Sequence, residues 1–222
     1  MTMSSRGEPL IRAVFGSRKY GSGVELVVLV DDDGNPVGTA EKSAVHGAST
    51  PRHLAFSCYG FDTAGRLLVT RRARDKATFP GVRTNTCCGH PSPGEPMADA
   101  VRRRLRHELD VDVTDLALAL PEFAYRASAN GVEEHELCPV FVGTLVGTPR
   151  PRPDEVESCE WWPWERFLAA AADPASDVSP WARLQAPLLD AVRDDPKEDG
   201  TAPGARPRPR AAGSHPTGPR RT

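Results

Sequence analysis

The order of short apolar segments, in which strand-like patterns outnumber helical ones, most constrains the fold of this chain. One helix is predicted over Glu95–Leu109, with Pro96 in its first turn, where a missing N–H costs little. The apolar runs that predict strands are Val24–Asp31, His53–Phe61, Arg66–Thr70, Leu116–Arg126, Glu134–Val146 and Glu155–Trp162, and later helices are predicted over Trp164–Ala172 and Pro180–Val192. Strands mixed with few helices predict an α+β domain, a layered α/β/α arrangement in which helices cover both faces of a sheet.

Both ends of the chain lack the pattern of a packed domain. From Pro196 onward the sequence is rich in Pro, Gly and Arg and contains almost no large apolar residue. Such a segment cannot bury enough surface to offset the entropy of ordering it. The sequence therefore predicts a single domain over 23–193, a flexible segment over 1–22 and a disordered Pro/Arg-rich tail over 194–222.

Charge and hydropathy narrow the class of protein. The 222 residues include 28 Lys and Arg against 30 Asp and Glu, a balance that argues against a dedicated nucleic-acid binder. No stretch approaches the run of about 20 apolar residues that a membrane helix needs, and the N-terminus has no hydrophobic signal region. Five cysteines, two of them adjacent, disfavour a disulfide framework. We expect a cytoplasmic, monomeric protein with no nucleic-acid or membrane partner.

The predicted helix has one carboxylate on its apolar face. That face is formed by apolar residues at a spacing of four: Met97, Val101, Leu105 and Leu109. Glu108 falls inside the same stripe, where a carboxylate is costly unless it is paired or bound to a cation. Two interpretations stay open, a buried ion pair with Arg104 one turn earlier, or a ligand for a metal ion.

A predicted strand near residue 136 places acidic side chains where apolar ones are expected. With a period of two, Glu134, Glu136 and Cys138 share one face. Two carboxylates beside a cysteine suit a cation site or a site that handles protons, but an edge strand with a solvated acidic end has the same pattern.

The segment TNTCCGHP, residues 84–91, is a further interruption. Neighbouring cysteines on an extended backbone face opposite ways, so at most one of Cys87 and Cys88 reaches a given site. A structural zinc site on these two with His90 and Cys138 has unusual ligand spacing, and simple packing explains a lone cysteine more often than catalysis does. His46 and His53, which flank a short polar loop, are either ordinary surface or core histidines or metal ligands.

The spacing from Gly89 to Glu95 and on to Arg103, Leu105 and Glu108 resembles the Nudix box, a loop–helix–loop that holds metal ions beside a diphosphate. In this chain the box is degenerate, since its helix retains one of three glutamates and Asp110 replaces the usual glycine. The resemblance implies a Nudix-type α/β/α sandwich with a mixed sheet. Hydrolysis that orients water with several carboxylates and metals is disfavoured.

Longer stretches resemble one family in particular, the type I isopentenyl-diphosphate isomerases. They are GTAEKSAVH (38–46), RHLAFSCYGF (52–61), LLVTRRARDKATFPGVRTNTCCGHP (67–91), EFAYRA (122–127), EEHELCPVF (133–141), DEVESCEWW (154–162) and SPW (179–181). The resemblance implies interconversion of isopentenyl and dimethylallyl diphosphate by allylic proton transfer through a carbocation-like intermediate. It implies that Cys88 and Glu136 are catalytic, that Tyr125 hydrogen-bonds Glu136, and that the Trp181 ring stabilises a cation.

The same resemblance implies two metal sites and a set of cations for the diphosphate. One divalent ion, Mn²⁺, Zn²⁺ or Mg²⁺, is expected on five residues: His46, His53, His90, Glu134 and Glu136. A Mg²⁺ ion is expected to arrive with the diphosphate through Glu108. The diphosphate is expected to contact four cationic side chains: Lys42, Arg72, Lys76 and Arg104. A Nudix pyrophosphohydrolase and a non-catalytic diphosphate-binding protein remain the alternatives.

Overall fold

The computed structural model describes residues 24–194, and within this range the chain forms twelve strands and four helices. The strands are β1 (Leu26–Val30), β2 (Pro36–Glu41), β3 (His53–Leu54), β4 (Phe56–Phe61), β5 (Leu67–Arg72), β6 (Arg83–Thr84), β7 (Cys87–Gly89), β8 (Asp112–Leu120), β9 (Ala124–Ala129), β10 (Val132–Leu137), β11 (Val140–Val146) and β12 (Val156–Trp162). The helices are α1 (Lys42–Val45), α2 (Met97–Leu109), α3 (Trp164–Ala172) and α4 (Pro180–Asp194). Apart from Asp194, which ends α4, the terminal segments predicted over 1–22 and 194–222 lie outside the described residues.

The strands form two mixed sheets. The first has the order β2-β1-β3-β10-β9, and the second has the order β12-β5-β4-β11-β8, with β6 beside β5 and β7 beside β4. The pairs β3–β10 and β4–β11 are parallel, and the other pairs are antiparallel. The two parallel pairs follow each other along the chain, so the same two segments leave one sheet and enter the other side by side.

Three predicted single strands are therefore wrong, because each is interrupted. The segment His53–Phe61 breaks at Ala55, and Glu134–Val146 breaks at Cys138 and Pro139. Backbone bonds from Ala55 N to Leu137 O (2.9 Å) and from Ser57 N to Pro139 O (3.1 Å) hold the two breaks against each other. Leu116–Arg126 is likewise interrupted, since a turn at 121–123 separates β8 from β9.

Helices cover both faces of the seven-stranded sheet, as the α/β/α prediction requires. On one side, Val101, Leu105 and Leu109 of α2 pack with buried residues such as Phe56 and Leu68. On the other side, α3 and α4 close a second apolar core that also includes residues of the sheet, among them Tyr59, Leu67, Val140, Phe167 and Leu189. The layered α+β prediction is confirmed. None of the helices between residues 24 and 194 is long and apolar enough to cross a membrane.

Helix α2 begins two residues later than predicted, because Glu95 serves the preceding loop instead. Its carboxylate accepts two bonds of 2.7 Å from the Arg103 guanidinium and a third from Ser92 N. The same guanidinium donates to the His90 carbonyl at 3.1 Å. At the other end, Asp110 adopts φ 55°, the left-handed conformation that glycine takes most easily. The bonds between Glu95, Arg103 and the His90 carbonyl attach the loop that carries Cys88 and His90 to the helix.

Candidate metal centre and catalytic cavity

A cavity of about 500 Å³ opens where the two parallel strand pairs pass from one sheet to the other. Every side chain that the sequence singled out for metal, substrate or catalysis lines this cavity, except His53. His53 is fully buried beside it. The lining also includes residues that the sequence did not single out, among them Ser57, Thr78 and Glu155.

Three histidines and one carboxylate meet at one end of the cavity. Their candidate ligand atoms all lie within 4.8 Å of one another, and the residues are His46, His53, His90 and Glu136. The ring centroids of the three histidines are 5.0 to 5.9 Å apart. They come from four parts of the chain, since His46 follows α1, His53 begins β3, His90 follows β7 and Glu136 lies in β10.

The backbone explains why these residues converge. His53 and Glu136 are direct neighbours in the parallel pair β3–β10. The loop between His46 and His53 is held by Thr50, whose backbone N–H donates to Glu133 Oε1 (3.1 Å) and whose hydroxyl accepts from Gly47 N (3.1 Å). These bonds hold the backbone next to His46 against β10 and do not involve the Nε2 atom of its imidazole.

The unsatisfied atoms of this cluster fit a bound cation. Among the described residues, the buried side-chain nitrogen and oxygen atoms that lack a hydrogen-bond partner are His46 Nε2, His53 Nε2 and His90 Nδ1. Buried polar groups are nearly always satisfied, so three imidazole nitrogens without a hydrogen bond in one place call for a ligand, even though His53 Nε2 also lies 3.5 Å from Glu136 Oε1. Imidazole nitrogen with carboxylate oxygen is a donor set that suits Zn²⁺ or Mn²⁺.

The charges of the cluster favour the same conclusion. Burial, followed by the neighbouring histidines, lowers the pKa of His46 to about 4, and burial also lowers the pKa of His90. Burial opposes protonation of His53 as well, but Glu136 outweighs it and raises that pKa. Burial acts to raise the pKa of Glu136, yet His53 and His90 lower it well below its ordinary value. The lowered pKa values of His46, His90 and Glu136 favour neutral imidazole and ionised carboxylate, the forms that bind a metal, whereas His53 is the imidazole whose proton Glu136 stabilises.

Glu134 lies beside the cluster of three histidines and Glu136, and it receives the hydrogen bond of Tyr125 that was expected at Glu136. The Tyr125 hydroxyl donates to Glu134 Oε2 at 2.6 Å, whereas the resemblance implied that it bonds Glu136. Tyr125 is the direct ladder partner of Glu136, and Glu134 is the diagonal neighbour within reach of a long side chain. The expected partner is wrong because His53 and His90 already engage Glu136.

The two carboxylates consequently have opposite pKa shifts. Burial and the nearby Glu136 charge raise the pKa of Glu134, while that of Glu136 is lowered. Burial and then the two carboxylates raise the pKa of Tyr125, so its hydroxyl stays a donor. Neighbouring acids with separated pKa values are typical of sites that transfer protons.

Cys88 faces the cavity from β7. It is the direct strand partner of Ser57, and its Sγ lies 3.5 Å from Ser57 Oγ and 3.3 Å from Asn85 Oδ1. Burial raises the pKa of Cys88 to about 12, which favours the protonated thiol. Cys87 points into the core beneath α2. As the alternation predicts, the two adjacent cysteines serve opposite faces.

Trp181 forms an aromatic wall next to Cys88 and Tyr125. It is buried near the start of α4, and its indole N–H donates to Asn85 Oδ1 at 3.0 Å. The Tyr125 ring lies 5.9 Å from the indole, and Arg72 Cζ lies 5.7 Å over it. The π face of Trp181 therefore already contacts one cation, the Arg72 guanidinium, which shows that this face can attract positive charge.

Alternating charges line the other end of the cavity. Glu108 Oε1 accepts from Arg104 Nε at 3.0 Å and from its Nη2, so the ion-pair interpretation of Glu108 is confirmed. Arg104 Nη2 also reaches Glu155 Oε2 at 3.1 Å, and the same oxygen pairs with Lys76. Burial acts to raise the pKa of Glu155, but Arg104 and Lys76 hold it at about 2. Glu155 is thus an internal anion between two expected phosphate-binding cations.

The remaining two cations are partly engaged. Lys42 Nζ is 3.0 Å from Glu25 Oε2, and both residues line the cavity. Arg72 donates to the carbonyl oxygens of Phe79 (3.2 Å) and Thr78 (2.9 Å), which shapes the loop between β5 and β6. Ser57, Asn85 and Glu155 are polar residues of this site that sequence reasoning missed. Ser57 and Asn85 lie inside otherwise apolar or cysteine-containing runs, which was the available signal.

The layers and the loop–helix that carries Cys88, His90 and Glu108 define a NUDIX-domain protein. The family model for the NUDIX domain matches residues 51–182. A solved structure from Deinococcus radiodurans superposes with a TM-score of 0.56 at 21% identity, covering 78% of this chain and 100% of that one. At this identity the likeness supports the fold alone.

Curated relatives narrow the class further. An isopentenyl-diphosphate Delta-isomerase of Mycolicibacterium vanbaalenii is 60% identical over 169 residues, which are 76% of this chain and 93% of the relative. Proteins of the same name from Frankia alni and Leifsonia xyli are 57% and 52% identical, covering 70% and 77% of this chain and 81% and 94% of their own lengths. The chain belongs to the isopentenyl-diphosphate Delta-isomerase family of NUDIX-domain proteins.

Proposed function

We propose that this protein interconverts isopentenyl diphosphate and dimethylallyl diphosphate by moving a proton across the allyl group. The observation that carries the proposal is one cavity in which a thiol, a carboxylate pair, an aromatic wall and a cluster of metal-type ligands meet. The high identity to isopentenyl-diphosphate Delta-isomerases supports the substrate class. The predictions of a monomer and of a cytoplasmic location stay predictions.

The reaction needs one proton delivered to the terminal alkene carbon and another removed from the carbon two bonds away. The π electrons of the alkene form the new C–H bond and leave a tertiary carbocation with a C–C single bond, and the electron pair of the C–H bond that loses the second proton forms the new C=C bond. Cys88 and Glu136 are the proposed pair for these transfers, each acting as acid in one direction and as base in the other. Burial favours the protonated thiol of Cys88 and the lowered pKa of Glu136 favours its carboxylate, so one member of the pair can give a proton while the other accepts one.

The walls of the cavity suit a cation that must not meet water. The Trp181 indole offers a π face next to Cys88 and Tyr125. The Tyr125 hydroxyl donates a hydrogen bond to Glu134 and thereby orients the Glu134 carboxylate beside Glu136. Trp181 is buried and Cys88 is partly buried against the same apolar core, which limits the access of bulk water to the reacting carbons.

The diphosphate is proposed to bind at the charged end, on Lys42, Arg72, Lys76 and Arg104. Glu155 pairs with Arg104 and Lys76 and so holds both side chains in place. The diphosphate oxygens are proposed to bind the same two cations, either beside Glu155 or in its place. A Mg²⁺ ion entering with the diphosphate is proposed to be held by Glu108, whose Oε1 accepts both Arg104 bonds.

A second divalent ion is proposed on His46, His53, His90 and Glu136, with Glu134 as a further ligand. Three imidazoles favour Mn²⁺ or Zn²⁺ over Mg²⁺, which prefers oxygen. When bound, the ion would supply a positive charge that stabilises the carboxylate form of Glu136.

Isotope labelling distinguishes this function from its alternatives. Isopentenyl diphosphate is incubated in D₂O with the purified protein, Mg²⁺ and Mn²⁺, and the methyl protons and phosphorus are followed together by NMR. We expect dimethylallyl methyl signals that incorporate deuterium, with the diphosphate intact. Release of free phosphate would instead support a pyrophosphohydrolase, and unchanged spectra in both channels would favour a binding protein.

Replacing Lys76 with methionine is expected to weaken substrate binding and to leave turnover at saturation largely intact. Its ammonium is one of the proposed diphosphate contacts, and loss of one charge-assisted bond costs about 1.5–3 kcal/mol, or roughly tenfold or more in KM. Arg74→Met is the matched control, because Arg74 lies two residues away and pairs with Glu157 on the exposed surface. Unchanged KM in Lys76→Met, measured beside pyrophosphate affinity by calorimetry, would remove Lys76 from the phosphate site.

A further inference from the structure

One buried amide, that of Asn85, connects two parts of the proposed site. Asn85 lies between β6 and β7 and is fully buried. Its Nδ2 donates to two backbone carbonyl oxygens, of Cys58 at 3.0 Å and of Cys87 at 2.9 Å. Carbonyl oxygens only accept hydrogen bonds, so these two partners fix which end of the amide is the oxygen and where it points.

The oxygen of this amide receives three donors. They are Trp181 Nε1 at 3.0 Å, Thr84 Oγ1 at 2.8 Å and Cys88 Sγ at 3.3 Å. An indole N–H is a donor alone, and the Trp181 side chain is buried, so Asn85 Oδ1 decides the rotation of that ring. The same atom fixes the position of the Cys88 sulfur.

We propose that Asn85 is a positioning residue for allylic proton transfer, which sets the Cys88 sulfur and the Trp181 ring relative to each other. This inference rests on the proposed function, in which the sulfur exchanges a proton and the ring faces the resulting cation. Both groups must meet the same few carbon atoms of the substrate, and a displacement of about 1 Å in such a geometry can cost about 100-fold in rate.

The polar surroundings support a specific role rather than simple packing. Ser57 Oγ, the second neighbour of the Cys88 sulfur, accepts from Gln185 Nε2 at 3.0 Å, and Gln185 Oε1 accepts from the Tyr59 hydroxyl at 3.0 Å. Cys88 is therefore held between two polar side chains, each of which is itself oriented by other buried groups. Such a supporting shell keeps reacting groups in place.

The test compares Asn85→Leu with Thr86→Val. Leucine has a similar size but no acceptor, whereas Thr86 is equally buried and bonds only Gly60 and Leu68 backbone atoms. We expect kcat of Asn85→Leu to fall by about 100-fold with little change in KM. Thr86→Val is expected to lose stability without a comparable loss of kcat.

A spectroscopic readout accompanies the kinetics. The four tryptophans give four indole N–H signals in a ¹⁵N–¹H spectrum, and Trp181→Phe identifies the signal of Trp181. This signal is expected to move upfield in Asn85→Leu, because the indole loses its acceptor, and to stay in Thr86→Val. A folded Asn85→Leu protein with near-normal kcat, or with an unmoved Trp181 signal, would overturn the proposal.

Two further variants keep the test decisive if Asn85→Leu does not fold. Asn85→Asp, as the neutral acid that burial between two carbonyl oxygens favours, keeps an oxygen at the position of Oδ1 and one donor towards the Cys58 and Cys87 carbonyls, and Asn85→Ser has no oxygen at that position. The aspartate variant is expected to retain a kcat about tenfold or more above that of the serine variant. Equal kcat values would contradict the proposal. If the wild-type protein itself shows no isomerisation, the proposed function fails, and the indole signal alone judges the Asn85 geometry.

Discussion

Replacing Cys88 with alanine is expected to lower the turnover of isopentenyl diphosphate by about 1,000-fold or more, the size of effect that a lost acid–base group produces. The sulfur is the proposed proton carrier on its side of the cavity, and no other thiol can replace it on that face of β7. Affinity for the diphosphate is expected to change little, because the phosphate-binding cations lie at the charged end. Steady-state kcat and the calorimetric Kd for pyrophosphate measure the two quantities separately.

Cys87→Ala is the matched control for this experiment. Cys87 is the sequence neighbour of Cys88 and is also buried, but it packs with apolar residues such as Val101 and Leu105 beneath α2. Its replacement is expected to reduce thermal stability and to leave kcat close to the wild-type value. Retained turnover in Cys88→Ala together with lost turnover in Cys87→Ala would contradict the prediction, because the reacting sulfur would then be that of Cys87 on the opposite face of the strand.

The breaks between strands show where sequence reasoning is limited by tertiary structure. Pro139 and Pro121 mark two of the breaks and were usable signals, because proline removes a backbone donor from a ladder. The break at Ala55 has no such local mark. It exists because the neighbouring segment breaks beside it, which Ala55 N and Leu137 O record by their hydrogen bond. A pairing between segments so far apart in the chain is not encoded in either one alone.

The residues of the site likewise fall into those that sequence patterns predict and those that only tertiary contacts reveal. Periodicity alone predicts that Glu108 lies on the buried face of α2, and only the structure shows that it pairs there with Arg104. The hydrogen bond of Tyr125 was assigned to the wrong carboxylate, because the choice between Glu134 and Glu136 depends on which one the histidines already hold. Asn85 was not singled out at all, since its importance follows from three donors that approach from separate segments.

His46→Ala is expected to weaken metal binding by about 100-fold or more, since even loss of a second-sphere partner costs 10–100-fold. His46 Nε2 lacks a hydrogen-bond partner among the described residues, so the change removes a ligand without breaking a bond at that nitrogen. At a Mn²⁺ or Zn²⁺ concentration of 100 times the wild-type Kd, the metal stabilises the wild-type protein by about 2.7 kcal/mol. For a 100-fold weaker variant the same concentration contributes only about 0.4 kcal/mol.

Thermal unfolding with and without added metal, beside the metal content after dialysis, measures this difference independently of turnover. His135→Ala is the control, because His135 lies on the same strand as Glu136 but contacts Arg126 outside the cluster. Its metal-induced stabilisation should equal that of the wild type. Mg²⁺ should stabilise less than Mn²⁺ or Zn²⁺, because three imidazole nitrogens do not suit an ion that prefers oxygen. Equal stabilisation of His46→Ala and wild type by Mn²⁺ and by Zn²⁺ would remove His46 from the metal site and leave its orphaned nitrogen without an explanation.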